Sequence, residues 1–409
     1  MRVAIVVCGS RGDVQPMLAL AVGLRAAGHE AVVCSSPDLG PWAQSLGCTF
    51  APIGEPLRGN PVLGDWGMRP FNRFIRRQLY LQVRDLAPVI RGCHVVIASG
   101  LVWGVRPVAE HLGIPYRYIA FTPAGLLGTT RDPIGIRLSR AAADLYADVS
   151  YGPALNRGRA RLGLPRVRHV MAQLMGPGTI AATDPALSVL PDGARLRRRQ
   201  TGYPLLAMGG ELSEELERFL AAGSPPIYAG FGSMPYGDRG RVARLLVDAA
   251  RRAGQRIVIY RGWARIPEVG RSDDCLFVDE EPHSVLFPRV RAVIHHGGAG
   301  TIATAARAGV PQIVLPQAAD QFLWRSQVVR LGLGPRAPMF RVASAASLAR
   351  AITAALSEPA YRQRAEDMAA RLQAAPDGVA TTVAEITRRT SIEPEAGRLR
   401  GPPGGHSLV

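Results

Sequence analysis

The sequence contains no lysine; all 49 basic residues are arginine. That absence, beside 45 glycines and 33 prolines, reads as the codon composition of a GC-rich genome rather than a selected function. Aromatic residues are scarce at 6%, although hydrophobic residues reach 47%, an ordinary share for a soluble α/β protein. No apolar run approaches the roughly 20 residues a membrane-spanning helix needs. Cysteines are few and scattered (Cys8, Cys34, Cys48, Cys93, Cys275) and show no CxxC spacing, which disfavours zinc or dithiol chemistry and predicts buried free thiols. There is no DxD and no His/Asp/Glu cluster at metal-ligand spacing, so no bound metal and no resident cofactor is expected. Acidic residues are outnumbered, 32 against 49, and the formal charge of +17 makes a field that favours anions such as nucleotides, acidic acceptors or membrane phosphates. Nucleic acid is not the expected partner, because no zinc-finger, RNP or basic-helix pattern accompanies the charge. The start, "MRVAIVVCGSRGDV", reads as a buried strand entering a glycine turn rather than a signal peptide, which predicts a cytoplasmic protein.

What the chain does have is two α/β halves. Its 409 residues suit two domains of roughly 150–200 residues each. Residues 2–8 ("RVAIVVC") form an expected strand, a helix is expected from about Pro16 to Ala27, and "EAVVCSS", "HVVIAS" and "YRYIAF" follow as strands. The pattern restarts near residues 201–226, and "PPIYAGFGS", "RIVIY", "CLFV", "RAVIH" and "PQIVLP" supply a second set. Strands alternating with helices predict parallel, doubly wound sheets. The expected division is 1–205, 206–375, a helix over 376–390 that crosses back to the first domain, and a disordered tail over 391–409. Residues 54–80 ("GEPLRGNPVLGDWGMRPFNRFIRRQLY") fit neither half. A Gly/Pro-rich loop there leads into a basic amphipathic helix carrying Phe71, Arg73, Phe74, Arg76 and Arg77. It reads as a surface excursion with a solvated arginine face, a mobile acceptor-side element, or a weak membrane-surface contact.

The chemistry concentrates in "HHGGAGTIATAARAGVPQIVLPQAADQ" (295–321). Glycines 297, 298 and 300 let the backbone approach a ligand and start a helix whose free N–H groups suit an anion. His296 and Thr301 can add hydrogen bonds to phosphate oxygens. Asp320 and Gln321 follow the next strand, so they share the carboxyl edge of the sheet, where ligands of open α/β folds bind. A carboxylate beside an amide suits sugar hydroxyls, which both donate and accept.

"HHGGAGT" followed by "PQAADQ" resembles the donor-binding signature of the family 1 glycosyltransferases, and "GSRGDVQP", "TGYP", "FGSM" and "PHSVLFPRVRAVIHHGG" match the same family. The motifs are nearest to the bacterial glycopeptide-antibiotic and the sterol glucosyltransferases. The resemblance implies the GT-B fold, two Rossmann-like domains facing each other across a cleft. The C-terminal domain would hold a UDP- or dTDP-sugar, and the N-terminal domain an aglycone. His296, Gly298, Gly300, Thr301 and Ser233 would contact the diphosphate, with Ser10 and Arg11 reaching it from the opposite domain. Asp320 and Gln321 would hold the sugar, and Trp263, Phe277 and Val278 the base. The resemblance leaves His283 without a role. Phe71, Phe74, Arg76 and Arg77 would lie on the acceptor side.

Many family members carry His within a HxxP pattern at the first turn, where this chain has Asp13–Val14–Gln15–Pro16. That matches the glycopeptide and sterol subgroups, in which an aspartate stands as the base. A positioned carboxylate can take the acceptor proton, provided the closed cleft desolvates it. The bland alternative is that Asp13 caps the following helix. With donor and base on opposite domains, inversion by direct displacement onto a secondary-metabolite aglycone is the expected reaction. A sterol or lipid acceptor, and a non-catalytic partner protein of the same fold, are the alternatives. A sugar-nucleotide epimerase would need no acceptor pocket. An NAD-dependent oxidoreductase is disfavoured, because the first turn reads "CGSRGDV" rather than GxGxxG.

Overall fold

A computed structural model of the chain describes residues 1–57, 68–122, 134–188, 190, 199–206, 209–232, 238–262, 265–270, 272–317 and 320–388. Ser233, Trp263 and the 391–409 tail therefore lie outside the described residues.

The N-terminal half holds β1 (Arg2–Cys8), α1 (Arg11–Ala26), β2 (Glu30–Ser35), α2 (Gly40–Ser45), β3 (Thr49–Pro52), α3 (Met68–Ile90), β4 (Val95–Gly100), α4 (Val105–His111), β5 (Tyr116–Ala120), α5 (Ile134–Arg161), α6 (Val170–Met175) and β6 (Ile180–Ala181). Its strands pair in parallel in the order β3-β2-β1-β4-β5-β6. Alternation along β1 shows why the sheet is covered on both faces. Val3, Ile5 and Val7 pack with Leu18 and Leu24 of α1, whereas Ala4, Val6 and Cys8 pack with Leu79 and Leu86 of α3.

The second half repeats the design with α7 (Glu214–Ala221), β7 (Ile227–Gly230), α8 (Arg239–Arg252), β8 (Ile257–Tyr260), β9 (Cys275–Val278), α9 (His283–Leu286), β10 (Val293–His295), α10 (Ala299–Arg307), β11 (Gln312–Val314), α11 (Gln321–Leu331), α12 (Ala345–Ser357), α13 (Pro359–Ala374) and α14 (Gly378–Thr387). These strands are also parallel, in the order β11-β10-β7-β8-β9. In each sheet the order reverses beside the first strand, at β1/β4 and at β7/β10. Such switch points open a crevice beyond the carboxyl ends of the strands.

The halves are joined by side chains as well as by the connecting chain. Arg307 of α10 makes two 2.9 Å bonds to the carboxylate of Asp184, which also accepts the Tyr203 N–H at 3.2 Å. Helix α14 returns to the first half. Gly23 of α1 faces Val379 and Val383, and Thr382 shares a 2.7 Å hydroxyl contact with Thr201. Arg117 donates to the Glu385 carbonyl from the second-to-last strand of the first sheet. All five cysteines are buried and free.

One element differs from the sequence expectation. Helix α1 starts at Arg11 rather than near Pro16, because Ser10 serves as its N-cap and Pro16 is accommodated inside it. The basic amphipathic helix expected after the Gly/Pro-rich loop is present as part of the longer α3, and Phe74 and Ile75 anchor it in the core. The expected Gly/Pro loop over 58–67 lies outside the described residues.

Candidate active site

Asp13 is the third residue of α1, just beyond the carboxyl end of β1. It is not the N-cap; instead its Oδ2 reaches back to accept the Ser10 N–H at 2.8 Å and the Ser10 hydroxyl at 3.2 Å. Gly9 makes room for this carboxylate, which occupies the space a Cβ there would need. Burial raises the Asp13 pKa from 3.8 to about 6, opposed by the two Ser10 donors and assisted by the negative charge of Asp320. That last influence is informative, since Asp320 belongs to the other half. Asp13 senses the charge of Asp320 across the crevice.

Asp320 stands at the start of α11, and burial raises its pKa as well, with a hydrogen bond from the Thr122 side chain working against the rise. Thr122 follows β5, so here too one half touches the other at its strand ends. Gln321 is buried, and its Oε1 accepts the Gln317 N–H at 2.8 Å, which locks the turn after β11.

Between β10 and α10 the paired histidines divide their work. His295 is fully buried; its Nδ1 accepts the Gly297 N–H at 3.1 Å, so Nε2 carries the proton toward Gln312 Oε1 at 3.1 Å. It shapes the turn. Gly297 sits at φ +96°, where a Cβ would lie 2.9 Å from Val314 Cγ1. His296 turns the other way, between the two glycine turns of the β7/β10 switch point. A Cβ on Gly232 would fall 3.2 Å from its Cε1, and one on Gly298 would fall 2.6 Å from its Nε2. Its Nδ1 is buried without a hydrogen-bond partner among the described residues, and desolvation lowers its pKa to about 4, so it is a neutral imidazole at physiological pH. Gly298 caps α10 with no side-chain bond to the first-turn N–H groups. Gly300 and the half-buried Thr301 lie in that first turn. An orphaned ring nitrogen beside an uncapped helix N-terminus is a receptor for anionic oxygens.

The remaining expected residues are placed less uniformly. Arg11 crosses the crevice to Glu280 at 2.8 Å, with its guanidinium 5.2 Å from the Trp42 ring. The Ser10 hydroxyl is directed to Asp13. Phe277 and Val278 are buried in strand β9, and the Val278 carbonyl accepts the Arg261 N–H at 2.9 Å, so their side chains serve the core. Phe74 is likewise core, Phe71 packs against it, Arg76 donates to the Ser150 carbonyl at 2.9 Å and Arg77 pairs with Glu55 at 3.0 Å. His283 meets the Tyr228 hydroxyl through Nε2 at 2.8 Å and stacks on Phe287 at 4.5 Å, a structural role.

Sequence reasoning overlooked Thr122, Tyr203 and Glu280. Thr122 and Glu280 stand just past strand ends, a placement that could have flagged them. The Tyr203 hydroxyl lies 3.0 Å from where a Gly300 Cβ would be, and its pKa is raised by burial and then by Asp13. Only the quoted "TGYP" motif hinted at it.

Comparison with known proteins identifies the family. Residues 3–126 match the glycosyltransferase family 28 N-terminal domain, and residues 244–387 match the erythromycin biosynthesis protein CIII-like C-terminal domain. A vancomycin aglycone glucosyltransferase of Amycolatopsis orientalis is 38% identical over 353 residues, 82% of this chain and 85% of its own. A dTDP-epi-vancosaminyltransferase of the same organism is 38% identical over 346 residues, with the same coverage. Among solved structures, the glycosyltransferase VinC in complex with dTDP superposes with a TM-score of 0.69 at 22% identity, covering 95% of this chain and 99% of that one. The chain belongs to the antibiotic-biosynthesis glycosyltransferases of the GT-B fold.

Proposed function

We propose that this glycosyltransferase moves a sugar from a dTDP- or UDP-sugar to a hydroxyl of a hydrophobic, secondary-metabolite aglycone, with inversion and without a metal, in the cytoplasm. The observation that carries the reading is the pair of facing carboxylates. Asp13 stands on one sheet and Asp320 on the other, each at a strand end and each with its pKa raised by burial, and Asp13 also feels the negative charge of Asp320. Asp320 would hold sugar hydroxyls, and Asp13, primed by burial, would remove the acceptor proton as the hydroxyl attacks the anomeric carbon. The departing diphosphate would meet the α10 N-terminus, the N–H groups of Gly298 and Gly300, the Thr301 hydroxyl and a proton on His296, so charge develops against fixed dipoles. Arg11, which reaches across the crevice to Glu280, would exchange that partner for a phosphate. The names of the relatives, a dTDP-sugar transferase and a structure holding dTDP among them, support this donor class.

The test is incubation with a panel of dTDP- and UDP-sugars and hydrophobic aglycones in chelator, read by mass spectrometry, with the anomeric configuration read by NMR. An inverted glycoside formed in chelator is expected. A strict magnesium requirement would overturn the metal-free step, and a retained anomer would overturn direct displacement.

A further inference from the structure

Away from the crevice, α3 and α5 enclose a second concavity of about 130 Å³. Arg76 of α3 and Arg157 and Arg161 of α5 ring a floor that includes Leu79, Val83 and Ala154. Among the described residues no carboxylate lines it and none pairs with these three arginines. Other arginines of α3 do have partners: Arg77 pairs with Glu55 and Arg84 with Asp85. The groove is thus a place where positive charge is gathered and left uncompensated.

Its geometry is set in advance. Arg157 and Arg161 are one helical turn apart, so they project from the same side of α5. Arg76 is fixed by its Nε bond to the Ser150 carbonyl, and Arg161 by its position 5.0 Å over the Tyr80 ring. The helices come close because of Gly158, where a Cβ would lie 3.1 Å from Val83 Cγ2. Three guanidiniums converging on one small volume repel one another, and an anion between them removes that repulsion while accepting forked hydrogen bonds. The volume suits a phosphate group and is too small for a nucleotide. The apolar floor suits a phosphate esterified to carbon.

We infer that the α3/α5 groove is a second anion site, which takes a phosphate ester held by Arg76, Arg157 and Arg161. That ester can come from a lipid headgroup or from a soluble metabolite. The probe is glycerol 3-phosphate, titrated calorimetrically into the full chain with the cleft saturated by a nucleoside diphosphate. Vesicles of phosphatidylglycerol or phosphatidylcholine form the second arm, read by co-sedimentation. Saturable binding of one or both probes is expected. The double variant Arg157→Gln/Arg161→Gln should weaken it at least tenfold, with an unchanged melting curve and transfer rate, because both side chains are exposed. Capture by phosphatidylglycerol vesicles that the double variant loses identifies a lipid headgroup. Glycerol 3-phosphate binding without vesicle capture identifies a soluble ester. Wild-type protein that binds neither probe, or a double variant that binds as well as wild type, overturns the assignment.

Discussion

Asp13 carries two opposing demands that one substitution can separate. As a base it must lose its proton, yet its burial disfavours the charge and raises its pKa to about 6. The acid limb of the kcat/KM profile is therefore expected near pH 6, well above the range of a free carboxylate. In Asp13→Asn the amide oxygen can still receive the Ser10 donors, but it cannot take a proton. Turnover should fall by roughly 10²–10⁴ at saturating substrates while donor affinity holds. Stability should move the other way. A folded-state pKa above the unfolded value means that the native state binds the extra proton. Its contribution is full below pH 3.8 and is lost as pH rises through about 6. Above pH 6 the asparagine variant should thus be as stable as wild type or more so, by up to roughly 3 kcal/mol, and the difference should shrink in acid. A near-normal rate at pH 8 would remove Asp13 from the mechanism. His296 gives a complementary expectation. Its lowered pKa keeps it neutral, so binding of a nucleotide sugar should not vary through this group between pH 5.5 and 8. His296→Ala should weaken that binding by ~1–3 kcal/mol in titration calorimetry with chelator present.

At the scale of elements, the decisive unit is strand, glycine turn and helix, used twice in facing sheets. Its legibility in sequence was uneven for physical reasons. Buried parallel strands are short apolar runs, and "RVAIVVC" and "CLFV" coincide with β1 and β9 to the residue. Strands β3 and β6 escaped notice because "TFAP" and "IA" are too short to show a pattern. The helix start was misread at α1, since Pro16 looked like a first-turn residue and the Ser10–Asp13 pairing three apart went unseen. Side-chain direction was legible least. Phe277 looks available in the sequence, yet both faces of its strand are covered and it packs into the core. Contacts such as Thr122 with Asp320 join residues far apart in the chain, and no local pattern encodes them. The turn after β10 offers a sharp test. In Gly298→Ala the new Cβ would fall 2.6 Å from His296 Nε2 and displace the ring from both glycine turns. The backbone at Gly298, φ −66° and ψ 139°, accepts alanine, so the fold should persist. Donor affinity should drop at least as far as in His296→Ala, and a melting curve should change little. Unaltered donor binding would show that the ring's position is immaterial.

For the whole molecule, the question is what keeps two separately built sheets in register across the crevice. The described contacts divide into an exposed pair at the crevice rim and a buried cluster on the side where the chain connects the halves, the hinge side. At the rim, Arg11 and Glu280 form a 2.8 Å pair in which Glu280 is about half exposed, and exposed pairs contribute little. On the hinge side, Asp184 is only 4% exposed and holds both Arg307 and the Tyr203 N–H, so it ties α10 to the chain that connects the halves. Arg307→Gln would leave that carboxylate buried without its cation. Removing one partner of a fully buried pair costs about 3–5 kcal/mol; because Arg307 is 24% exposed, roughly 2–4 kcal/mol is expected here. Adding Asp184→Asn should recover part of the loss, since the uncompensated charge is then gone, and the double variant should be more stable than the sum of the single effects. The measurement is denaturant unfolding of the four proteins, followed by tryptophan fluorescence and circular dichroism together because two domains need not unfold in one step. Donor affinity should fall less than stability, as the turn proposed to hold the diphosphate stands at the opposite end of α10 from Arg307. If Arg307→Gln unfolds like wild type, the halves are held by α14 against α1 instead, and the buried pair is incidental to their alignment.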